Sequence, residues 1–180
     1  TLHCNGEYVD VEEEVDNLKE IKCPEEIVLT RRAAALQDEL LQKAISFIRP
    51  GIRDFEMMAH SQYEAQCGGA ETGYFLGSSA APGERTEIHS RQFHGRELKA
   101  GDVILWQSEN TGPGGMFVHF CRILVLGKAP ADVARAYDGM IAAQKFTADR
   151  LVPGADCRVI FDEYNAYMVA NGWQKESRIY

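Results

Sequence analysis

The chain has 180 residues, with 19 Lys and Arg against 27 Asp and Glu for a formal net charge of −8 at pH 7. That length matches one domain able to bury a sizeable core. The acidic balance, with no Lys/Arg cluster along any traceable face, excludes nucleic acid and anionic membrane as natural partners.

No apolar run approaches the roughly 20 residues that cross a bilayer, and the start carries no basic and apolar leader pattern. The 5 cysteines, Cys4, Cys23, Cys67, Cys121 and Cys157, are scattered without CxxC spacing. Zinc and redox chemistry are not indicated, and a reducing cytoplasm is the expected compartment. Position 1 is Thr, so the chain reads as a fragment or a processed product.

Residues 1–24 are polar and acidic, with Glu12-Glu13-Glu14 among them, and predict a solvated lead-in holding at most one edge strand near residues 8–11. Residues 25–180 are then the domain. Pro24 followed by Glu25 and Glu26 predicts a helix start, since carboxylates suit the positive end of the helix dipole. Ile27, Leu36, Leu40, Leu41, Ala44, Ile45 and Ile48 recur at helical spacing up to a stop at Pro50-Gly51. A second helix is expected over residues 54–67, ended by Gly68-Gly69, then a short strand at 74–76 and a Gly/Ser/Pro loop at 77–85. His89 and His94 follow in a segment too mixed to assign.

Two β-rich runs, 103–107 and 116–126, flank a Gly/Pro-rich connection and predict an antiparallel strand pair. Alternation places Leu105, Gln107 and Glu109 on one face of the first run and Phe117, His119 and Cys121 on one face of the second. Polar groups thus converge where apolar ones are expected. Pro130 opens a helix predicted to run to about residue 151, with Val133, Tyr137, Met140, Ile141, Gln144 and Ala148 along one stripe. The last helix is expected over 157–170, stopping at Asn171-Gly172.

The two helix pairs resemble one another. Pro50-Gly51, a helix and Gly68-Gly69 have a counterpart in Pro153-Gly154, a helix and Asn171-Gly172, with Gly51 and Gly154 103 positions apart. This reads as a two-copy internal repeat of long helix, turn and shorter helix.

With these elements in order, the sequence resembles the pita-bread family, which includes methionine aminopeptidases, Xaa-Pro peptidases, prolidases and creatinase. The likeness is carried by Leu18-Lys19-Glu20-Ile21-Lys22 with Pro24-Glu25-Glu26-Ile27, by Arg49-Pro50-Gly51, by Gly101-Asp102, and by Gly115, Arg122 and Gly127. It implies an α/β (α+β) fold, helices packed on one side of a curved, mainly antiparallel sheet, here its first half plus the opening helices of the second. It also implies a catalytic role for His89, which stands before Gly101 where the family keeps its substrate-handling histidine. The family's remaining ligands, one histidine and two glutamates, would come from a stretch after Tyr180.

The same resemblance implies two aspartates that together bind two metal ions, at positions held here by Gln107 and His119. Gln is a neutral, poor ligand, and one His does not supply a bridging carboxylate charge. The expected cofactor is therefore none, with a divalent metal such as Mn, Co, Fe or Zn as the alternative. Gln107, Glu109 and His119 are candidate substrate-binding residues, against the simpler possibility that Gln107 and His119 only hydrogen-bond in a core. A Cys121–His119 nucleophile pair is the least favoured arrangement, because free Cys is commonly buried packing.

The expected function is a creatinase-like or Xaa-Pro-peptidase-like hydrolase of a C–N bond, amide or amidino, working without the dinuclear metal. An active metallo-aminopeptidase and a non-catalytic peptide- or protein-binding module are the alternatives. Expected partners are a small-molecule or short-peptide substrate and either a second copy of the chain or another polypeptide.

Overall fold

A computed structural model of the chain describes residue 6 and residues 9–86 and 95–177, and those residues form five helices and three strands. They divide into two units, 1–126 and 127–180.

The first unit begins with helix α1 (Glu12–Glu20), where a lead-in with at most one edge strand, near residues 8–11, was expected. The reason is local. Asp10 accepts the backbone N–H of Glu12 at 3.0 Å, three glutamates sit in the first turn, and Lys19 pairs with Asp16 at 3.4 Å in the last. Dipole-matched charges of this kind support an isolated turn or two of helix without a core. No α1 residue is buried.

Helix α2 (Pro24–Phe47) starts at Pro24 with the Glu26 carboxylate accepting the N–H of Cys23 at 2.8 Å. Helix α3 (Asp54–Cys67) starts the same way, Glu56 accepting the N–H of Arg53 at 2.6 Å. Each is a glutamate reaching back to satisfy an otherwise orphaned donor. Between the helices the chain reverses at Gly51, whose φ of 93° lies in the left-handed region that favours glycine. Leu36, Leu40, Ala44, Met57, Met58 and Ala65 from these helices form one core with Phe75, Leu98, Ile104 and Trp106. Full burial of side chains of this size stabilises by roughly 1.5–3 kcal/mol each.

The sheet is antiparallel in the order β1-β2-β3, with β1 (Gly73–Ala80), β2 (Val103–Thr111) and β3 (Phe117–Val125). β1 extends beyond residues 74–76 into Gly77-Ser78-Ser79, which pair with Trp106, Leu105 and Ile104. β2 likewise runs on to Thr111. The side carrying Phe75, Ile104 and Trp106 lies under α2 and α3, and alternation puts Tyr74, Leu105, Gln107 and Glu109 on the opposite side.

The second unit is a helix hairpin, α4 (Ala131–Ala148) and α5 (Cys157–Ala170). α4 ends short of residue 151. Asp156 caps α5 by accepting the N–H of Arg158 at 2.8 Å. Phe146 and Tyr167 stack at 4.4 Å, and Arg150 covers Phe146 at 3.4 Å while its Nε donates to Glu163 at 2.7 Å. The internal repeat extends to the bounds of the shorter helices, since α5 begins and ends 103 residues after α3. Leu40 and Ala143 are equivalent by that step, as are Met57 and Ile160, and all four are buried.

Candidate functional site

Gln107 and Glu109 lie two residues apart on β2 and so share a face. Register sets Glu109 opposite His119 of β3 and Tyr74 of β1, and Gln107 opposite Cys121 and Leu76. The three candidate side chains of the strand pair do meet. The Gln107 amide donates to Glu109 Oε1 at 2.6 Å, and His119 Nε2 stands 4.0 Å from the same oxygen. Gln107 is 5% exposed, whereas the side chains of Glu109 and His119 are 32% and 63% exposed. A buried amide therefore holds one oxygen of a half-exposed carboxylate, and a solvent-facing imidazole flanks it. Glu109 Oε2 has no protein partner among the described residues. His89 and His94 lie outside the described residues.

Cys121 shares this face and is half buried. Burial pushes its thiol up and the Arg122 guanidinium pulls it down by less, so the thiol stays protonated near neutral pH. That makes it a weak nucleophile. Arg122 lies over the Phe120 ring at 3.8 Å and donates to the Cys121 carbonyl at 2.7 Å, a tie along β3 rather than a substrate contact.

Beneath the sheet is a polar network that strand alternation alone does not reveal. Ser108 donates to Gln37 Oε1, Asn110 Nδ2 donates to Ser108 Oγ at 3.0 Å and to the Tyr74 carbonyl at 3.3 Å, and Gln37 Nε2 donates to the Asn110 carbonyl at 3.4 Å. Gln37, Ser108 and Asn110 are all buried, so these bonds pin α2, β1 and β2 together beside Glu109. One signal for it was available, a lone polar Gln37 in the stripe Ala33, Leu36, Leu40, Ala44. Asp102 is also structural. It takes two hydrogen bonds from the Arg96 guanidinium and one from the Lys99 N–H at 2.7 Å.

A dinuclear metal centre needs carboxylates that bridge two cations. Here the amide of Gln107 is turned to Glu109 as a donor, leaving one carboxylate and one imidazole. Among the described residues no cluster of three or more His, Cys, Asp or Glu side chains is arranged to hold a metal. The donors that this chain brings to the face do not fit a dinuclear site.

The profile of "Metallopeptidase family M24" matches residues 28–179. The chain belongs to that family. Among M24 relatives it is 24% identical over 152 residues to the Xaa-Pro dipeptidase of Pyrococcus furiosus, covering 82% of this chain and 42% of that protein. It is 23% identical over 164 residues to an uncharacterised peptidase of Staphylococcus saprophyticus, covering 86% and 44%. In three dimensions it matches the prolidase from Pyrococcus furiosus with a TM-score of 0.75 at 20% identity, over 90% of this chain and 48% of that one. The prolidase from Pyrococcus horikoshii matches with a TM-score of 0.77 at 19% identity, over 90% and 46%. The fold is thus the pita-bread fold of the M24 peptidases, and the chain spans under half the length of these relatives. No helix among the described residues is long and apolar enough to cross a membrane.

Proposed function

We propose that the protein is a hydrolase of short substrates that cleaves a C–N bond, amide or amidino, in the manner of a creatinase or an Xaa-Pro peptidase and without a dinuclear metal. The observation that carries this reading is the meeting of Gln107, Glu109 and His119 on one open sheet face with a single carboxylate. Membership in an M24 peptidase family supports hydrolysis; the donor chemistry argues against two bridged cations.

In this reading His89 moves the proton. It takes one from water as the water oxygen bonds to the electrophilic carbon, and returns it to the nitrogen as the C–N bond breaks. His119 and Gln107 orient the substrate by hydrogen bonds, and Glu109 faces its cationic part. The reducing cytoplasm is the compartment that goes with four free cysteines among the described residues, Cys23, Cys67, Cys121 and Cys157.

The test is a screen of Xaa-Pro dipeptides and small amide and amidino compounds with the natural full-length protein, with and without chelator, comparing wild type with His89→Ala. Turnover that survives chelator and falls by about a hundredfold or more in the variant is the expected result. Activity abolished by chelator transfers the protein to the metallo-aminopeptidase reading. Binding of peptides with no turnover of any compound makes it a binding module.

A further inference from the structure

β1 pairs with β2 on one side only, and its outer edge is open among the described residues. The Thr111 N–H donates to the Thr72 carbonyl at 2.9 Å, and the register continues with Gly73 opposite Asn110 and Tyr74 opposite Glu109. Antiparallel alternation therefore turns the backbone groups of Tyr74 and Leu76 toward β2 and those of Gly73, Phe75 and Gly77 away from it. No strand among the described residues takes up those outward groups. Exposed edges are usually blunted by a charge, a proline or a bulge. Residues 73–78 read Gly-Tyr-Phe-Leu-Gly-Ser with unbroken register and carry none of these. Only the far end is guarded, where Arg96 donates to the Ser79 hydroxyl at 3.2 Å.

Beside the open stretch lies a cavity of about 540 Å³, lined by Phe55, Met58, Gln62 and Gln66 of α3 and by Gly73 and Phe75 of β1. We propose that the β1 edge and this α3 wall form a docking groove for an extended polypeptide segment, added as a strand along residues 73–77. What complements an open ladder edge is a second extended backbone, whose N–H and C=O groups recur with the same step of roughly 6.8 Å per two residues. The wall then receives alternate side chains of that segment. Phe55 and Met58 present apolar surface, and the Gln62 and Gln66 amides, one turn apart, offer donors and acceptors, so the groove suits uncharged side chains. Phe75 faces the helices, whereas Gln107 and Glu109 face the other side of the sheet. The groove is thus separate from the face assigned to hydrolysis and does not depend on that assignment.

The experiment uses the natural full-length protein and a capped Thr-Val-Gln-Val-Thr peptide. Its counterpart is N-methylated at the three central residues, which keeps the side chains and removes main-chain donors from both edges. Calorimetry gives affinity, and amide hydrogen exchange gives location. Wild type should bind the unmodified peptide, with exchange slowed at Phe75 and Gly77, and N-methylation should weaken binding about tenfold or more, as expected for two or more lost hydrogen bonds. Gln62→Lys with Gln66→Lys, which sets charge beside the edge while circular dichroism stays unchanged, should weaken it about fivefold or more. Equal affinity for the two peptides overturns main-chain recognition. Protection at Glu109 and His119 in place of β1 overturns the groove, as does failure to bind the unmodified peptide. Edge amides already slow to exchange in the free protein overturn it too, since a second copy or another part of the protein then holds the edge. None of these outcomes bears on the chelator test of hydrolysis.

Discussion

Asp102 is a buried carboxyl whose pairing links stability to pH. Its side chain is 2% exposed, and burial alone would push the carboxyl up. The paired Arg96 hydrogen bonds and the Lys99 N–H outweigh that and hold it below its ordinary 3.8. A carboxyl depressed in the folded state adds stability that is fully present above its unfolded value and is lost as pH falls through the folded one. Asp102→Asn should therefore cost about 2–4 kcal/mol at pH 7, as expected for removing one partner of a largely buried pair. The deficit should shrink as pH drops below about 4. Urea denaturation of wild type and variant at pH 7 and pH 3 measures it; a deficit of equal size at both pH values would contradict the assignment. At this scale much of the site was legible, because a period of two places Gln107 and Glu109 together, and one polar residue at each of two core-like strand positions is conspicuous. Tyr74 was not. Its place beside Glu109 depends on the β1–β2 register, which is set by the whole strand and not by any residue near Tyr74.

At the scale of elements, β1 and β2 approach so closely that Gly77 has no room for a side chain. A Cβ there would stand 2.0 Å from the Leu105 carbonyl oxygen, and φ is +148°. Gly77→Ala should cost about 2 kcal/mol or more. Gly83 makes the control, with φ +84° and nothing within 4 Å of its Cβ. Both substitutions carry backbone strain, and only Gly77→Ala adds the collision. Equal melting-temperature losses for the two would show that the close approach is unimportant. The same glycine explains why β1 was expected to be short, since Gly77-Ser78-Ser79 has loop composition and becomes strand only because β2 pairs with it. Helix α1 escaped for the converse reason. Its stability comes from terminal charges on a solvated segment, and hydrophobic periodicity is blind to an element with no buried face. α2, α3 and α5 were legible because Pro-Gly or Gly-rich punctuation bounds them and an apolar stripe fills the interval.

For the molecule as a whole, the second unit leaves apolar side chains in water: Met140 is 62% exposed, Ile141 52%, Val159 53% and Val169 51%. Exposed apolar surface on a small hairpin predicts an interaction face. The 180-residue chain is expected to self-associate, or to bind a second polypeptide there, and light scattering at micromolar concentration reads the outcome directly. A stable monomer would count against it, and Met140→Lys with Val159→Lys should restore a monomer if these residues form the contact.

The strand meander has one more consequence, for the order in which the protein comes together. β2 and β3 are joined by residues 112–116 alone, whereas β1 reaches β2 across residues 81–102. Loop-closure entropy rises with the length of chain to be closed, so the β2–β3 hairpin carries the smaller entropic cost and is favoured to form first. Gln107, Glu109 and His119 all ride on that hairpin. Tyr74 enters with β1, across the longer closure. Gln107, Glu109 and His119 thus belong to the more local of the two strand pairings, while Tyr74 is brought in by the less local one and His89 lies in the longer connection.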